Sequence, residues 1–209
     1  MAHASNTELL VLLGLRLRGF AEPDALAELV GVPVDLVVKQ LEAFEAASLV
    51  RHRAGSVSGW TLTAAGRAEG ERLLGAELDA TGTRDAVERC YRTFLRYNPA
   101  LLDLCTRWQV RDRGDGVVIN DHSDPDYDDV LVRELVALDA GVGPVCEELA
   151  RALDRFCSYR PRLAHALDRV RRGEVDWFTK PTIGSYHTVW FELHENLLAT
   201  LGIERGSES

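Results

Sequence analysis

The tripeptide Gly31-Val32-Pro33 constrains the fold of this chain more than any other feature, because it separates two short segments with helical apolar spacing. Glycine is favoured just past the end of a helix, and proline just inside the start of the next one. Each segment has apolar residues three or four positions apart, which is the spacing of one helix face. They are Leu26, Leu29 and Val30 before the turn, and Val34, Val37, Leu41 and Phe44 after it. The pattern predicts two helices joined by a tight turn.

Further elements are predicted on both sides of this turn. Residues 7–18 are mostly apolar and predict a buried helix that ends at Gly19. Residues 49–53 and 60–62 predict two short strands joined by a small, flexible segment, and Thr63 is expected to cap another helix that begins at Ala64. Three helices, a β-hairpin and a further helix follow one another in this order in a winged helix-turn-helix domain.

Three segments of the first third of the chain resemble the MarR-like winged helix regulators. They are residues 25–29 (ALAEL), 41–50 (LEAFEAASLV) and 62–67 (LTAAGR). The resemblance implies a DNA-binding domain over residues 1–80 and a transcriptional regulator as the function. Because two-fold symmetric operators are bound by two-fold symmetric proteins, it also implies a homodimer on double-stranded DNA.

In such a domain the third helix enters the major groove and the hairpin approaches the DNA backbone. The residues predicted to bind DNA are therefore polar residues of these two elements: Lys39, Gln40, Arg51, His52, Arg53 and Ser56. Gln40 has the groups that read adenine, and Lys39 can meet guanine or a phosphate.

The charge of the chain argues against this interpretation. The net charge is −9, and acidic residues outnumber basic ones within residues 1–75. Asp35, Glu42 and Glu45 on the third helix are unfavourable beside phosphates, which basic side chains usually neutralise. An alternative is therefore a winged helix that serves protein contacts or is degenerate.

Residues 84–205 are predicted to form an all-α helical bundle that serves dimerisation or sensing, so the fold class is mainly α. A helix with the apolar stripe Val87, Tyr91, Phe94 and Leu95 is expected to break at Asn98-Pro99, and this stripe is the candidate dimer contact. Residues 111–123 are expected to be a polar loop. Proline residues at 125, 144 and 161 are expected to begin successive helices, and a last helix is predicted over residues 185–201.

The acidic segment Asn120–Asp129 has two interpretations. Asp124, Asp126 and Asp128 have the spacing that opens a calcium-binding EF-hand loop, but Asp129 replaces the glycine of its sixth position and Leu135 the glutamate of its twelfth. The favoured interpretation is a helix start, with Asp124 as the cap and Pro125 as the first residue. A metal or ligand role stays the alternative.

Residues 176–195 concentrate aromatic, histidine and lysine side chains. An aromatic stripe at helical spacing is usually core, but its polar neighbours raise the alternative of a pocket for a small anionic or aromatic ligand. The residues predicted to bind this ligand are Trp108, Trp177, Lys180, Tyr186, His187 and Trp190.

The HExxH, GxSxG, P-loop and GxGxxG motifs are all absent, so no enzyme activity is predicted, and an unrecognised enzyme stays a third possibility. No cofactor is expected, and no metal ligand is predicted. Cys90, Cys105, Cys146 and Cys157 form no CxxC pair and are expected to be buried thiols. Residues 91–108, 121–124 and 176–205 resemble a helical segment associated with actinobacterial proteins of the pyruvate phosphate dikinase type. This resemblance implies an alternative function, a winged-helix adaptor that binds and regulates a metabolic enzyme of the phosphotransfer type. With no apolar run long enough to span a membrane, the chain is expected to be cytoplasmic.

Overall fold

A computed structural model describes residues 2–55, 58–112, 114 and 116–204. This part of the chain is mainly helical, with two small antiparallel sheets of two strands each. The chain divides into two compact units. The first unit comprises Met1–Asp85, Leu153–Arg155 and Glu195–Ser209, and the second comprises Ala86–Ala152 and Phe156–His194.

Most of the first unit is formed by the N-terminal elements. These are the helices α1 (Thr7–Arg18), α2 (Pro23–Val30) and α3 (Val34–Ala46), the strands β1 (Val50–Arg53) and β2 (Gly59–Leu62), and the helix α4 (Ala64–Thr81). The two strands pair antiparallel, with Val50 opposite Leu62 and Arg53 opposite Gly59. The three helices and the hairpin lie where the sequence predicts them, within a few residues.

Local capping explains where these helices begin and end. The side chain of Asn6 accepts a hydrogen bond of 2.8 Å from the backbone N–H of Leu9, and Thr63 accepts one of 3.1 Å from Gly66. Gly31 ends α2 with a left-handed φ of 68°, which favours glycine. Gly66 is required for a different reason, because a Cβ there would lie 1.9 Å from the carbonyl oxygen of Leu49.

The core of the first unit joins the predicted apolar faces. One cluster contains Val11, Leu12, Leu15, Leu26, Val37, Leu41, Phe44 and Val50. A second cluster packs Leu9 and Leu13 of α1 against Leu74 of α4 and against Ala199 from the C-terminal end of the chain. A buried ion pair between Arg155 and Glu77 also lies within this unit.

The remaining elements follow in chain order. They are α5 (Arg84–Gln109), β3 (Val110–Asp112), β4 (Val117–Ile119), α6 (Pro125–Ala152), a 3-10 helix (Asp154–Phe156), α7 (Tyr159–Arg171), α8 (Asp176–Thr179) and α9 (Tyr186–Leu201). No helix within the described residues is long and apolar enough to cross a membrane.

Three sequence predictions about this region are wrong. The helix breaks expected at Pro99 and near Pro144 do not occur, because both residues lie inside continuous helices, with exposed rings. An internal proline costs about 3 kcal/mol, and burial of Leu101 and Leu104 beyond Pro99 favours continuation of the helix. The polar loop expected over residues 111–123 contains part of the hairpin of β3 and β4, so the region is not all-α.

Aromatic side chains organise the core of the second unit. Phe94 stacks on Trp190 with ring centroids 4.5 Å apart, and the indole N–H of Trp190 donates a hydrogen bond of 2.9 Å to Oδ1 of Asn98. Tyr186 is buried and donates a hydrogen bond of 3.1 Å to Asp139. Val87, Tyr91 and Phe94 of the predicted stripe are buried within the chain, so these three side chains are not available as a dimer surface.

Candidate functional site

The helix α3 and the hairpin of β1 and β2 present the residues predicted to bind DNA. Lys39, Arg51 and Arg53 are exposed, and Gln40 is half-buried. Arg51 and Arg53 project from the same face of β1, since side chains alternate along a strand. His52 projects from the other face, where its ring lies 4.8 Å from that of Trp60. Ser56 lies outside the described residues.

These cations are not neutralised locally. Among the residues that the structure describes, Lys39, Arg51 and Arg53 form no ion pair. Arg16 of the same unit, by contrast, lies 2.5 Å from Glu71 and 3.4 Å from Glu195. The three cations therefore remain available to an external anion.

The outward face of α3 has a different chemistry. Asp35, Lys39 and Glu42 lie opposite the buried residues of this helix, so two carboxylates flank its single cation. Exposed apolar side chains border this face: Val34, Leu36 and Val38. An acidic face with apolar borders fits a basic, partly apolar surface better than a phosphate backbone.

The second unit has a cleft of about 400 Å³ that brings distant parts of the sequence together. Its lining residues come from the end of α5, the hairpin of β3 and β4, the segment before α6, and the region of α8: Trp108, Gln109, Ile119, Asn120, His122, Val175, Asp176, Thr179, Lys180 and Pro181. Two of the residues predicted to bind a ligand, Trp108 and Lys180, line this cleft.

Two residues that line the cleft, Asn120 and His122, form a polar network with Asp128. Nδ1 of His122 lies 2.8 Å from Oδ2 of Asp128, and both side chains are largely buried. Nδ2 of Asn120 donates to Oδ1 of Asp128 at 3.0 Å and to the carbonyl oxygen of Trp108 at 3.1 Å. His122 has a φ of 57°, a left-handed conformation that few residues other than glycine adopt. The network therefore holds the imidazole in one orientation.

Trp108 is the aromatic residue of the cleft lining. Its ring lies 4.6 Å from that of His122 and 4.6 Å from that of the buried Phe178. The indole N–H is directed to the carbonyl oxygen of Val175 at 3.3 Å. These contacts connect the end of α5 to α8 and to the histidine.

An ion pair between two of the lining residues provides the charge of the cleft. Nζ of Lys180 lies 2.6 Å from Oδ2 of Asp176, four residues earlier, and about half of each side chain is exposed. Exposed pairs of this spacing contribute little to stability, because water screens them. Both groups are therefore free to exchange their partner for a ligand.

The acidic segment also forms the predicted helix cap. Oδ1 of Asp124 accepts a hydrogen bond of 3.1 Å from the backbone N–H of Tyr127, and Pro125 is the first residue of α6. Arg111 lies 2.8 Å from Asp124, and its hydrogen bond is the main reason that the pKa of this carboxyl is lowered. Within the described residues, no group of three His, Cys, Asp or Glu side chains could hold a metal ion.

The other residues of the predicted pocket do not line the cleft. Tyr186 and Trp190 are core side chains, as described above. Trp177 lies under the guanidinium of Arg169, which is 4.7 Å from its ring centroid. His187 is partly buried, and burial lowers the pKa of its imidazole.

Sequence reasoning missed His122, Asn120 and Ile119 as lining residues. The sequence pattern of residues 120–129 predicts a helix cap or a metal loop from their carboxylates and gives His122 no site role. The available signal was a histidine six residues before Asp128, but nothing local places that pair beside Trp108 and Lys180. No protein-family model, curated protein or solved structure matches this chain.

Proposed function

We propose that this chain is a dimeric, ligand-responsive transcriptional regulator that binds double-stranded DNA through a winged helix-turn-helix formed by α2, α3 and the hairpin. The observation on which this rests is the pair Arg51 and Arg53, exposed side by side on the hairpin with no ion pair among the described residues. In the winged helix geometry the hairpin approaches the DNA backbone, where two free guanidinium groups neutralise phosphates.

The charges of α3 limit what this helix contributes to affinity. Lys39 is flanked by Asp35 and Glu42, so the outward face of the helix offers little net attraction to phosphate. In the proposed complex the hairpin supplies most of the electrostatic affinity, and Gln40 supplies a base contact.

The test measures binding to fluorescent duplexes made from genomic fragments, by anisotropy, over a range of salt concentrations. The double variant R51A/R53A is expected to bind all fragments more weakly. It is also expected to flatten the slope of log affinity against log salt by about two, since each phosphate contact contributes about one.

The matched control is R92A/R96A, which removes the same charge from two exposed arginines of α5. This variant is expected to bind as the wild type does. Equal losses in both double variants would mean that only net charge matters, and this outcome would contradict a specific role for the hairpin.

A second function is favoured by a separate observation, the exposed Val34, Leu36 and Val38 beside the carboxylates of α3. These features suit an adaptor whose α3 docks on a basic, partly apolar surface of a phosphotransfer-type enzyme. Sedimentation of the chain with purified pyruvate phosphate dikinase tests this alternative. The adaptor hypothesis predicts a complex of the two proteins that is lost in L36D and kept in R51A/R53A. The DNA-binding proposal predicts no complex with this enzyme.

A further inference from the structure

Two segments that the sequence analysis singled out separately lie on the same cleft of the second unit. Asn120 and His122 come from the acidic segment, and Asp176 and Lys180 come from the aromatic one. Both segments meet Trp108, whose ring contacts that of His122 and whose indole N–H is directed to Val175.

The polar groups of this cleft are of both kinds, donor and acceptor. Asp128 and Asn120 engage Nδ1 of His122, while Nε2 of the same ring has no hydrogen-bond partner among the described residues. Lys180 is a donor with a positive charge, and Asp176 is an acceptor with a negative one. A ligand with only a negative charge is attracted by Lys180 but repelled by Asp176. A ligand with only a positive charge is attracted by Asp176 but repelled by Lys180.

A ligand with both charges avoids this conflict. Its carboxylate can replace that of Asp176 at Lys180, and its ammonium group can bind Asp176 and Nε2 of His122. The existing ion pair is half exposed and joins residues of one short segment, so little stabilisation opposes the exchange.

Three apolar residues are among those that line the cleft. Ile119 has 82% of its surface exposed, and Val175 has 38% exposed. Pro181 lines the same cleft. A ligand with an apolar group covers these side chains and removes their surface from water, which favours binding.

We propose that this cleft binds a small zwitterion with an apolar side chain, of the class of apolar α-amino acids. The carboxylate lies on Lys180, the ammonium group lies between Asp176 and His122, and the apolar side chain covers Ile119 and Val175. The inference rests on the ligand-responsive part of the proposed function. It involves the second unit alone, so its test needs no DNA.

The test is isothermal titration of the full chain with L-phenylalanine, phenylacetate, phenethylamine and glycine. L-phenylalanine has both charges and the ring, while each of the others lacks one of these features. We expect it to bind at least about tenfold more tightly than any of the three. No heat of binding from L-phenylalanine at millimolar concentration would overturn the proposal.

Charge-removing variants identify the site. D176N is expected to reverse the preference toward phenylacetate, because the repelling carboxylate is gone. K180M is expected to shift the preference toward phenethylamine, because the repelling ammonium group is gone. The matched controls D168N and R172M remove the partners of another exposed pair with the same spacing, in and just after α7, and should leave the order of affinities unchanged.

The result that contradicts this site is binding of L-phenylalanine with the same preference in D176N and K180M as in the wild type. Loss of DNA binding by R51A/R53A with no amino-acid binding would leave the DNA-binding proposal standing and overturn this one. Binding of L-phenylalanine without any loss of DNA binding in R51A/R53A would support the amino-acid site and contradict the DNA-binding proposal.

Discussion

Nδ1 of His122 lies 2.8 Å from Oδ2 of Asp128, a carboxylate in the first turn of α6. Oδ1 of the same carboxylate accepts a hydrogen bond of 3.0 Å from Asn120. One aspartate thus binds the side chains of both Asn120 and His122, which lie in the segment before α6. His122 is held there in a left-handed backbone conformation. The carboxylate is the group that fixes the wall of the cleft.

Replacement of Asp128 by asparagine is expected to destabilise the fold by about 1.5–3 kcal/mol, because hydrogen bonds to a charged group are lost. Urea unfolding measures the free energy, and the nitrogen-15 shifts of the His122 ring report its tautomer. The control is D129N at the exposed neighbouring position. An unchanged ring spectrum in D128N would show that the aspartate does not orient the imidazole.

Trp190 is a core residue in the structure, so W190A should destabilise the chain by about 3–5 kcal/mol in urea unfolding. The change removes the stacking on Phe94 and leaves Oδ1 of Asn98 without its indole donor. K180A should change the free energy of unfolding by less than about 0.5 kcal/mol, because this side chain is half exposed. Similar losses in the two variants would contradict this assignment.

The ion pair of Arg155 and Glu77 is almost fully buried, and Arg155 also donates to Ser5 and Thr200. Removal of one partner by E77L or R155M should cost about 3–5 kcal/mol, because the other charge stays buried and loses its main ionic partner. The double variant should cost clearly less than the two single losses together. Additive losses in the free energy of unfolding would mean that the two charges are not coupled.

Burial lowers the pKa of the His187 imidazole, so the unfolded chain takes up this proton at a higher pH than the folded chain does. Protonation therefore favours unfolding. The contribution of His187 to stability is complete above the ordinary histidine pKa of about 6.5 and is lost as the pH falls toward the lowered value. Between about pH 7 and pH 5, the wild type should lose more unfolding free energy than H187Q. A parallel dependence in both proteins would argue against a desolvated imidazole.

The four cysteines are expected to react at very different rates. Burial raises the pKa of Cys90 and Cys105 to about 12 and that of Cys146 to about 11, whereas Cys157 is exposed, contrary to its sequence prediction. Because the thiolate is the reactive form, titration with a disulfide reagent at neutral pH should show one fast thiol. C157S should abolish this fast phase, and its survival would mean that a buried thiol is accessible.

Local signals account for the part of the fold that the sequence predicts well. Gly31 ends α2, and the side chain of Thr63 caps the beginning of α4. Both effects act over only three or four residues. Pro99 and Pro144 also give local signals, but packing over the whole length of their helices overrides them.

The cleft could not be predicted, because it depends on contacts between residues far apart in the chain. Trp108 and Lys180 were both proposed as ligand residues, yet no periodicity indicates that Asn120 and His122 lie beside them. Tyr186 and Trp190 illustrate the opposite problem. Their residue types suit a ligand pocket and a core equally well, and only their burial distinguishes the two.

Ala199 packs with Leu9, Leu13 and Leu74 in the core of the first unit. This core therefore combines the beginning of the chain with its C-terminal helix. During synthesis, which proceeds from the N-terminus, α1 and α4 leave the ribosome long before their last packing partner exists. Completion of this core waits until the segment around Ala199 has left the ribosome, more than a hundred residues after α4, and the apolar side chains of α1 stay partly uncovered until then.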